Sequence, residues 1–466
     1  MKQTYVYILA AAIGLTGCES VVEGLNKNPN SIEINDIDAG LYVNTPELAL
    51  VSIVRGLDGR MASLWTGQII GVAQFPLAYY NYQLTESTFD FEGYASVITQ
   101  CRHIQQAAPE NAFYQGLTRV LEAYLFSFYA SAYGDIPARE VATDAEYPKF
   151  ESQKAVLAYS QQLLDEAISS LKSANSPSFR QDYLYNGNVR GWQEAAYSLK
   201  ARIYMLTKDY EQAYQAALQG ISSADRSMMF RPVADNQTGN KNNWYEYSQN
   251  AYFGTEDSES RQCFLFDVLD KRRNSKTDET ARKAYYYIDP TNSTVSHGIA
   301  SALEPEPLLT YEENLLILAE SAARTRGLDE GLAYLNQLRD YYDQGGAVNS
   351  YYADYGFNYD AYTADDFAVG GLLNPDGLQP VRALLREIIL ERYITCFTQF
   401  TPWDDARRLR GAGESDIAVQ IPLNTATATA HPERFYYPET EILANPNAPV
   451  DPGLYAPTEI NRRGES

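Results

Sequence analysis

Histidine and cysteine, the side chains that most often carry metal or nucleophilic chemistry, are scarce: three His and four Cys in 466 residues. His103, His297 and His431 lie far apart, and no HExxH, GxSxG or GxxxxGK[ST] string occurs. Zinc-protease, serine-hydrolase and P-loop chemistry therefore lack their parts. Gly411-Ala412-Gly413 lacks a third glycine and a preceding strand, so it reads as a turn rather than a dinucleotide site. Apart from Cys18, the cysteines Cys101, Cys263 and Cys396 are odd in number and widely spaced. That excludes a disulfide framework or a zinc ribbon; at most one disulfide could form, and buried free thiols are the expectation. Positive charge is short as well, 37 Lys+Arg against 60 Asp+Glu for a net charge of −23. Such a surface repels phosphate backbones and anionic headgroups, which excludes nucleic-acid binding and basic-patch membrane binding. No apolar run reaches the about 20 residues that a membrane span needs.

What the chain has in excess is tyrosine, 38 residues against 17 Phe and 4 Trp. Tyr offers a flat apolar face and a hydrogen-bonding tip at low entropic cost, which suits recognition surfaces. At the N-terminus, Lys2 precedes an apolar run from Tyr5 to Leu15 and then Thr16-Gly17-Cys18. The run is too short to span a bilayer and reads as a cleaved signal. Small residues ending in Cys resemble a bacterial lipoprotein signal, which makes residues 1–17 the signal peptide and Cys18 the lipid attachment site. The acyl chains this implies exceed what stable anchoring requires.

Helical periodicity recurs along the mature chain. Phe113, Leu117, Val120, Leu121, Tyr124, Leu125 and Phe128 stripe one face of a helix over Ala112–Tyr133, which Gly134 and Pro137 should stop. Ser152–Leu171 is a second amphipathic helix, and a further helix over Pro380–Cys396 follows later. Trp192–Leu206 and Tyr210–Ile221 form a pair, with Asp209 and Gln212 spaced for a cap between them. A similar pair runs over Tyr311–Thr325 and Leu328–Tyr341. Short-linked helices alternating Ala with Tyr or Leu follow the tetratricopeptide pattern. The predicted fold is mostly α, a tetratricopeptide-like helix-hairpin scaffold carrying long irregular ligand-binding loops. Those loops are Phe230–Asp257, Asn274–Pro307, Asp340–Gln379 and Gly411–Ser466.

An ordered set of strings carries a family resemblance. Leu25–Asn30 lies near Cys18; Tyr133–Pro137 and Leu318–Gly327 follow; Arg386–Arg392 runs on to Trp403–Arg408; Tyr437–Ile442 and Asn445–Asn447 come last. In this order they resemble the SusD/RagB family of outer-membrane nutrient-binding lipoproteins of Bacteroidetes-type bacteria. The link Thr395–Phe400 departs from the family's acidic or Gly-containing one, and only Glu19 and Glu23 follow Cys18 closely. The resemblance implies one SusD-like α-helical domain over 18–466, with an N-terminal region of about 18–225 and a C-terminal one of about 226–466. It implies no enzyme activity, but capture of oligosaccharides as the lid of a SusC-like TonB-dependent outer-membrane barrel, from a lipid-anchored, surface-exposed position. The family's repeat helices face the barrel and its loops hold ligand, so the strings themselves are scaffold. Oligopeptide capture is the alternative; a glycoside hydrolase or an envelope scaffold is a more distant one.

The residues themselves narrow the site. Glu387 and Glu391, one helical turn apart near Arg386 and Arg392, read as a structural ion-pair face, as do Asp404 and Asp405 beside Arg407 and Arg408. Asp354, Asn358, Asp360, Asp365 and Asp366 offer the oxygens calcium uses, but not in EF-hand spacing. No cofactor is expected, with calcium the one candidate. Aromatics beside amides carry the sharper expectation, because a sugar ring pairs an apolar C–H face with a polar rim. Tyr79, Tyr80, Asn81 and Tyr82 follow Phe75-Pro76, where a helix from Leu48 should end. Trp244, Tyr245 and Tyr247 lie amid Asn240, Asn242 and Asn243, and Tyr286 lies in a tyrosine triplet. These are the candidate substrate-binding residues.

Overall fold

The computed structural model describes residues 39–175, 181–233, 240–248, 252–257, 259–289 and 297–464. The signal peptide, Cys18 and Leu25–Asn30 lie outside the described residues. Helices dominate, and several begin at a side chain that accepts from their free N–H groups. Where one helix was expected from Leu48, the chain forms α1 (Asn44–Val54), α2 (Leu57–Trp65) and α3 (Gln74–Tyr80). The break comes at Gly56, whose ψ of −143° leaves helical space. Pro76 does not stop a helix but sits in the first turn of α3, where no N–H is needed.

Next come α4 (Glu92–Ala107) and α5 (Ala112–Tyr133), the latter matching its predicted span. The Asn111 side chain accepts from the Phe113 and Tyr114 amides at the start of α5, and Gly134 at φ 88° ends it. α6 (Gln153–Ser173) packs along α5, and Gly116 makes the approach close: a Cβ there would sit 2.4 Å from Leu171. α7 (Val189–Leu206) and α8 (Tyr210–Ala217) form the next hairpin, in which the Asp209 carboxylate accepts from the Gln212 amide. α8 ends at Ala217, before the expected Ile221, and beyond it Gly220 lies close against Asn314 and Ser198.

The first two stretches read as irregular contain α9 (Asn243–Ser248) and α11 (Thr280–Tyr285), with α10 (Phe264–Arg272) between them. α12 (Tyr311–Thr325) and α13 (Leu328–Tyr341) are the second predicted hairpin, and Gly327 at φ 102° turns between them. After α14 (Ala364–Phe367), α15 (Pro380–Thr395) packs on α12 and α13; α16 (Thr401–Ala412) and α17 (Glu439–Ala444) follow. Gly413 caps α16 in the left-handed conformation, so the Gly411–Gly413 stretch is a helix end. Among the described residues, four antiparallel two-stranded ribbons fasten the loops to this scaffold. They pair β1 (Ile70–Gly71) with β5 (Phe253–Gly254), β2 (Ile136–Pro137) with β3 (Phe150–Glu151), β4 (Met228–Phe230) with β7 (Glu306–Leu309), and β6 (Thr277–Asp278) with β8 (Asn358–Tyr359).

Three of the strings that carried the family resemblance, Leu318–Gly327, Arg386–Arg392 and Trp403–Arg408, meet in the interior as one charged lattice. Arg392 donates to Asp405 at 2.6 Å and forms an ion pair with Glu320 at 2.7 Å, and Arg408 donates to the same two carboxylates at 3.0 and 2.8 Å. Arg407 pairs with Asp404 and donates to the Ser131 carbonyl at the end of α5. Burial alone would raise Glu320, but Arg408, Arg392 and Arg324 hold it well below the usual carboxylate range. Glu387 and Glu391 are structural too, though their partners are not the neighbours on their own helix. Arg272 reaches both, and Arg282 reaches Glu391, from more than a hundred residues away in sequence. Cys101, Cys263 and Cys396 are buried free thiols.

Candidate functional site

The two aromatic segments singled out in the sequence are brought together by one short ribbon. Ile70 pairs with Gly254 and Gly71 with Phe253, and the Val72 amide donates to the Tyr252 carbonyl at 2.8 Å. Gly71 is needed for close approach, since a Cβ there would lie 2.0 Å from the Pro76 carbonyl oxygen. The loop before α3 is thereby folded against the loop after α9.

The join carries a surface of stacked rings. Phe75, 71% exposed, stacks on Tyr79 with centroids 6.1 Å apart and planes 22° from parallel. The Arg60 guanidinium, from α2, lies 3.3 Å from the centre of the Tyr247 ring, while its Nε donates to the Gly56 carbonyl. Burial lowers the pKa of Arg60, against the opposing pull of Tyr247, Tyr79 and Asp58. Burial likewise raises Tyr79 and Tyr80, with Arg60 and Arg261 respectively opposing. Asp58 lies two residues before Arg60 in the same helix. Burial pushes its carboxyl up to about 7, Asp90 adding to the rise and Arg60 opposing it. Asn424, from a distant loop, donates through its side chain to the Leu64 and Tyr80 carbonyls, and its amide donates to the Tyr82 hydroxyl. It clips the turn after α3 to the end of α2.

The eight aromatic and amide candidates divide by exposure. Tyr79, Tyr80, Asn81, Tyr245 and Tyr247 are half-buried and reach the surface. Trp244, Tyr82 and Tyr286 are core side chains at 1%, 7% and 5% exposure, so none can lay an open ring face against a ligand, contrary to the expectation above. Trp244 packs edge-on against Phe253 and Tyr82 edge-on against Trp65, while Tyr286 lies tilted against Phe397. The reason is that a short helix buries one side, and Trp244 falls on the inner side of α9 while Tyr245 and Tyr247 do not. The asparagines beside Trp244 are structural as well. Asn242 caps the Trp244 and Tyr245 amides and ties them to the Ile299 and Glu304 carbonyls; Asn243 donates to Glu306. Arg60 and Asp58 escaped the sequence reading because nothing local marks them; only the fold puts them beside the tyrosines. Phe75 was visible beside Pro76 but its exposure was not.

In the acidic loop, Asp366 pairs with Lys276 at 2.7 Å and accepts from the Thr363 amide, while Asn358 donates to Asp360. Among the described residues no group of three or more His, Cys, Asp or Glu side chains converges to hold a metal ion.

A helix-hairpin scaffold with an aromatic, arginine-backed surface on its loops defines a binding-protein class, and comparison with known proteins gives the family. The chain belongs to the SusD-like family described as "Starch-binding associating with outer membrane", whose model matches residues 60–438. Solved structures share the fold. A SusD/RagB family protein of Bacteroides thetaiotaomicron is 20% identical, with a TM-score of 0.65 over 88% of this chain and 95% of that one. A SusD homolog of Bacteroides fragilis is 16% identical, with a TM-score of 0.68 over 91% of this chain and all of that one, 100%. A second, SusD-like protein of B. thetaiotaomicron is 17% identical at a TM-score of 0.65, covering 88% and 93%. No curated protein matches the chain. The chain is thus of a nutrient-binding, outer-membrane-associated family.

Proposed function

We propose that this protein captures oligosaccharides at the outer membrane without cleaving them and acts as the lid of a SusC-like TonB-dependent transporter. Residues 18–466 form its single working domain, held to the membrane by lipid on Cys18. No described helix is long and apolar enough to cross a membrane, which fits an anchor of that kind. The observation that carries the ligand assignment is the exposed Phe75–Tyr79 stack beside the Arg60–Tyr247 pair. The stack offers the C–H face of a pyranose its apolar partner, and a guanidinium held flat by a ring supplies donors to the hydroxyl rim. The role needs no cofactor.

The test is calorimetric titration of the soluble form lacking residues 1–18 against matched panels of oligosaccharides and oligopeptides, with recovered ligand analysed for cleavage. Saturable binding of uncleaved oligosaccharide, lost in Phe75→Ala, is expected. Binding confined to peptides would reassign the ligand, and cleavage would overturn the non-catalytic reading. The lid role predicts co-purification of the full-length lipoprotein with a large barrel protein from outer membranes; recovery without any barrel would count against it.

A further inference from the structure

Away from the Phe75–Tyr79 stack, a groove of about 260 Å³ opens between the start of α12, the turn after α13 and the chain leaving α15. By the share of volume a liquid water occupies, it has room for about eight waters. Its lining combines ring faces and hydrogen-bonding groups that the protein leaves unused. Tyr285 and Tyr341, both half-buried, supply the rings. Glu304, 8% exposed, is held in place by the Tyr285 hydroxyl and the Asn349 side chain, each donating at 2.9 Å. Glu312 keeps one carboxylate oxygen, Oε2, without a partner, and burial raises its carboxyl above the usual range.

Gln399 is the telling residue. It is only 6% exposed, yet its side-chain amide makes no hydrogen bond to any described residue. The amide atoms are not sealed from solvent, so they are available at the groove that Gln399 lines. It also lines an adjoining, partly open cavity of about 30 Å³, shared with Arg55 and Tyr124. A single water fits that cavity. A primary amide offers two donors and two lone pairs, so one such water leaves most of its capacity for the groove.

We propose that this groove is a second ligand site, taking one neutral, hydroxyl-rich sugar ring, with Gln399 and Glu312 as its polar contacts. The amide both gives and accepts, as adjacent ring hydroxyls do. The two carboxylates accept from hydroxyls and reject anions, and the tyrosines flank the apolar ring face. The site stands on its own residues, whatever occupies the Phe75–Tyr79 surface.

The test titrates methyl glucoside and methyl galactoside, with glucuronate as the anionic counterpart, into the mature protein and into Gln399→Leu, Glu312→Ala and Phe75→Ala. At least one neutral glycoside should bind saturably, with glucuronate much weaker. Gln399→Leu and Glu312→Ala should each weaken that binding by about tenfold or more, while Phe75→Ala leaves it unchanged. Because Gln399 has no internal hydrogen bond to lose, Gln399→Leu should melt no lower than the parent, so loss of binding there does not reflect unfolding. Three results would each overturn the proposal: no saturable binding of either neutral glycoside, binding unchanged in Gln399→Leu, or glucuronate bound as tightly as the neutral sugars.

Discussion

The same side-chain type plays opposite parts in this protein, and burial decides which. Trp244 at 1% exposure is a packing residue, so Trp244→Ala is expected to cost about 3–5 kcal/mol of stability through the cavity it leaves, read as a lowered denaturant midpoint. Its indole Nε1 has no partner among the described residues, so Trp244→Phe, which removes that donor and keeps a ring, should be far milder. A large loss from the Phe variant would mean that the indole shape, not burial, is what matters. Asp58 gives a second residue-scale prediction, with a definite sign. Its folded carboxyl titrates near 7 instead of the ordinary 3.8, so between about pH 4 and pH 7 the folded state holds a proton that the unfolded chain has released. Stability from this group is therefore greatest in acid and is lost as pH rises through that window. Asp58→Asn abolishes the loss. It should raise the melting point near neutrality and above, by an amount worth up to about 4 kcal/mol, and change little near pH 4. Equal effects at both pH values would show that the carboxyl does not titrate there.

At the scale of elements, two arginines that look alike in sequence separate sharply. Arg392 of α15 is buried between Asp405 and Glu320, whereas Arg386, one and a half turns earlier, meets Asp376 at the surface. Arg392→Met would leave two buried carboxylates, Asp405 and Glu320, to share Arg408 in place of two arginines, and is expected to cost about 3 kcal/mol. Arg386→Met should hardly move the unfolding midpoint, since solvent screens such a pair. Comparable losses from both would refute the distinction. This pair also marks what the sequence could tell. Helix existence was legible for α5, α12 and α13, because a 3.6-residue apolar stripe bounded by Gly134 or Gly327 leaves few alternatives. Ion-pair character was legible from the charge clusters. Partner identity was not: Glu391 meets Arg282, 109 positions away, and no local pattern encodes a contact of that range. The aromatic candidates were legible as residues, but exposure depends on which side of a six-residue helix faces inward. So short a segment shows no periodicity from which to read that.

Over the whole molecule, the buried apolar side chains form two clusters, and neither respects a division near residue 225. One draws on residues from Ala39 to Ile460 and the other on residues from Ala201 to Ile417. α7 serves both: Leu199 and Ile203 point into the first, Ala201 and Met205 into the second. A helix shared in this way couples the clusters, because separating them would expose one face of α7 or the other. The N-terminal and C-terminal regions named from the family pattern should therefore behave as one folding unit. Calorimetry of the soluble chain is expected to give a single transition whose calorimetric and van't Hoff enthalpies agree. A fragment ending at residue 225 is expected to show no cooperative melt, since it would carry α7 and α8 without the α12 that covers them. Two resolved transitions, or a fragment that melts cooperatively by itself, would mean that α7 packs independently on its two sides. The ribbon joining β1 to β5 would then be a contact between separate bodies, free to open with the ligand surface built across it.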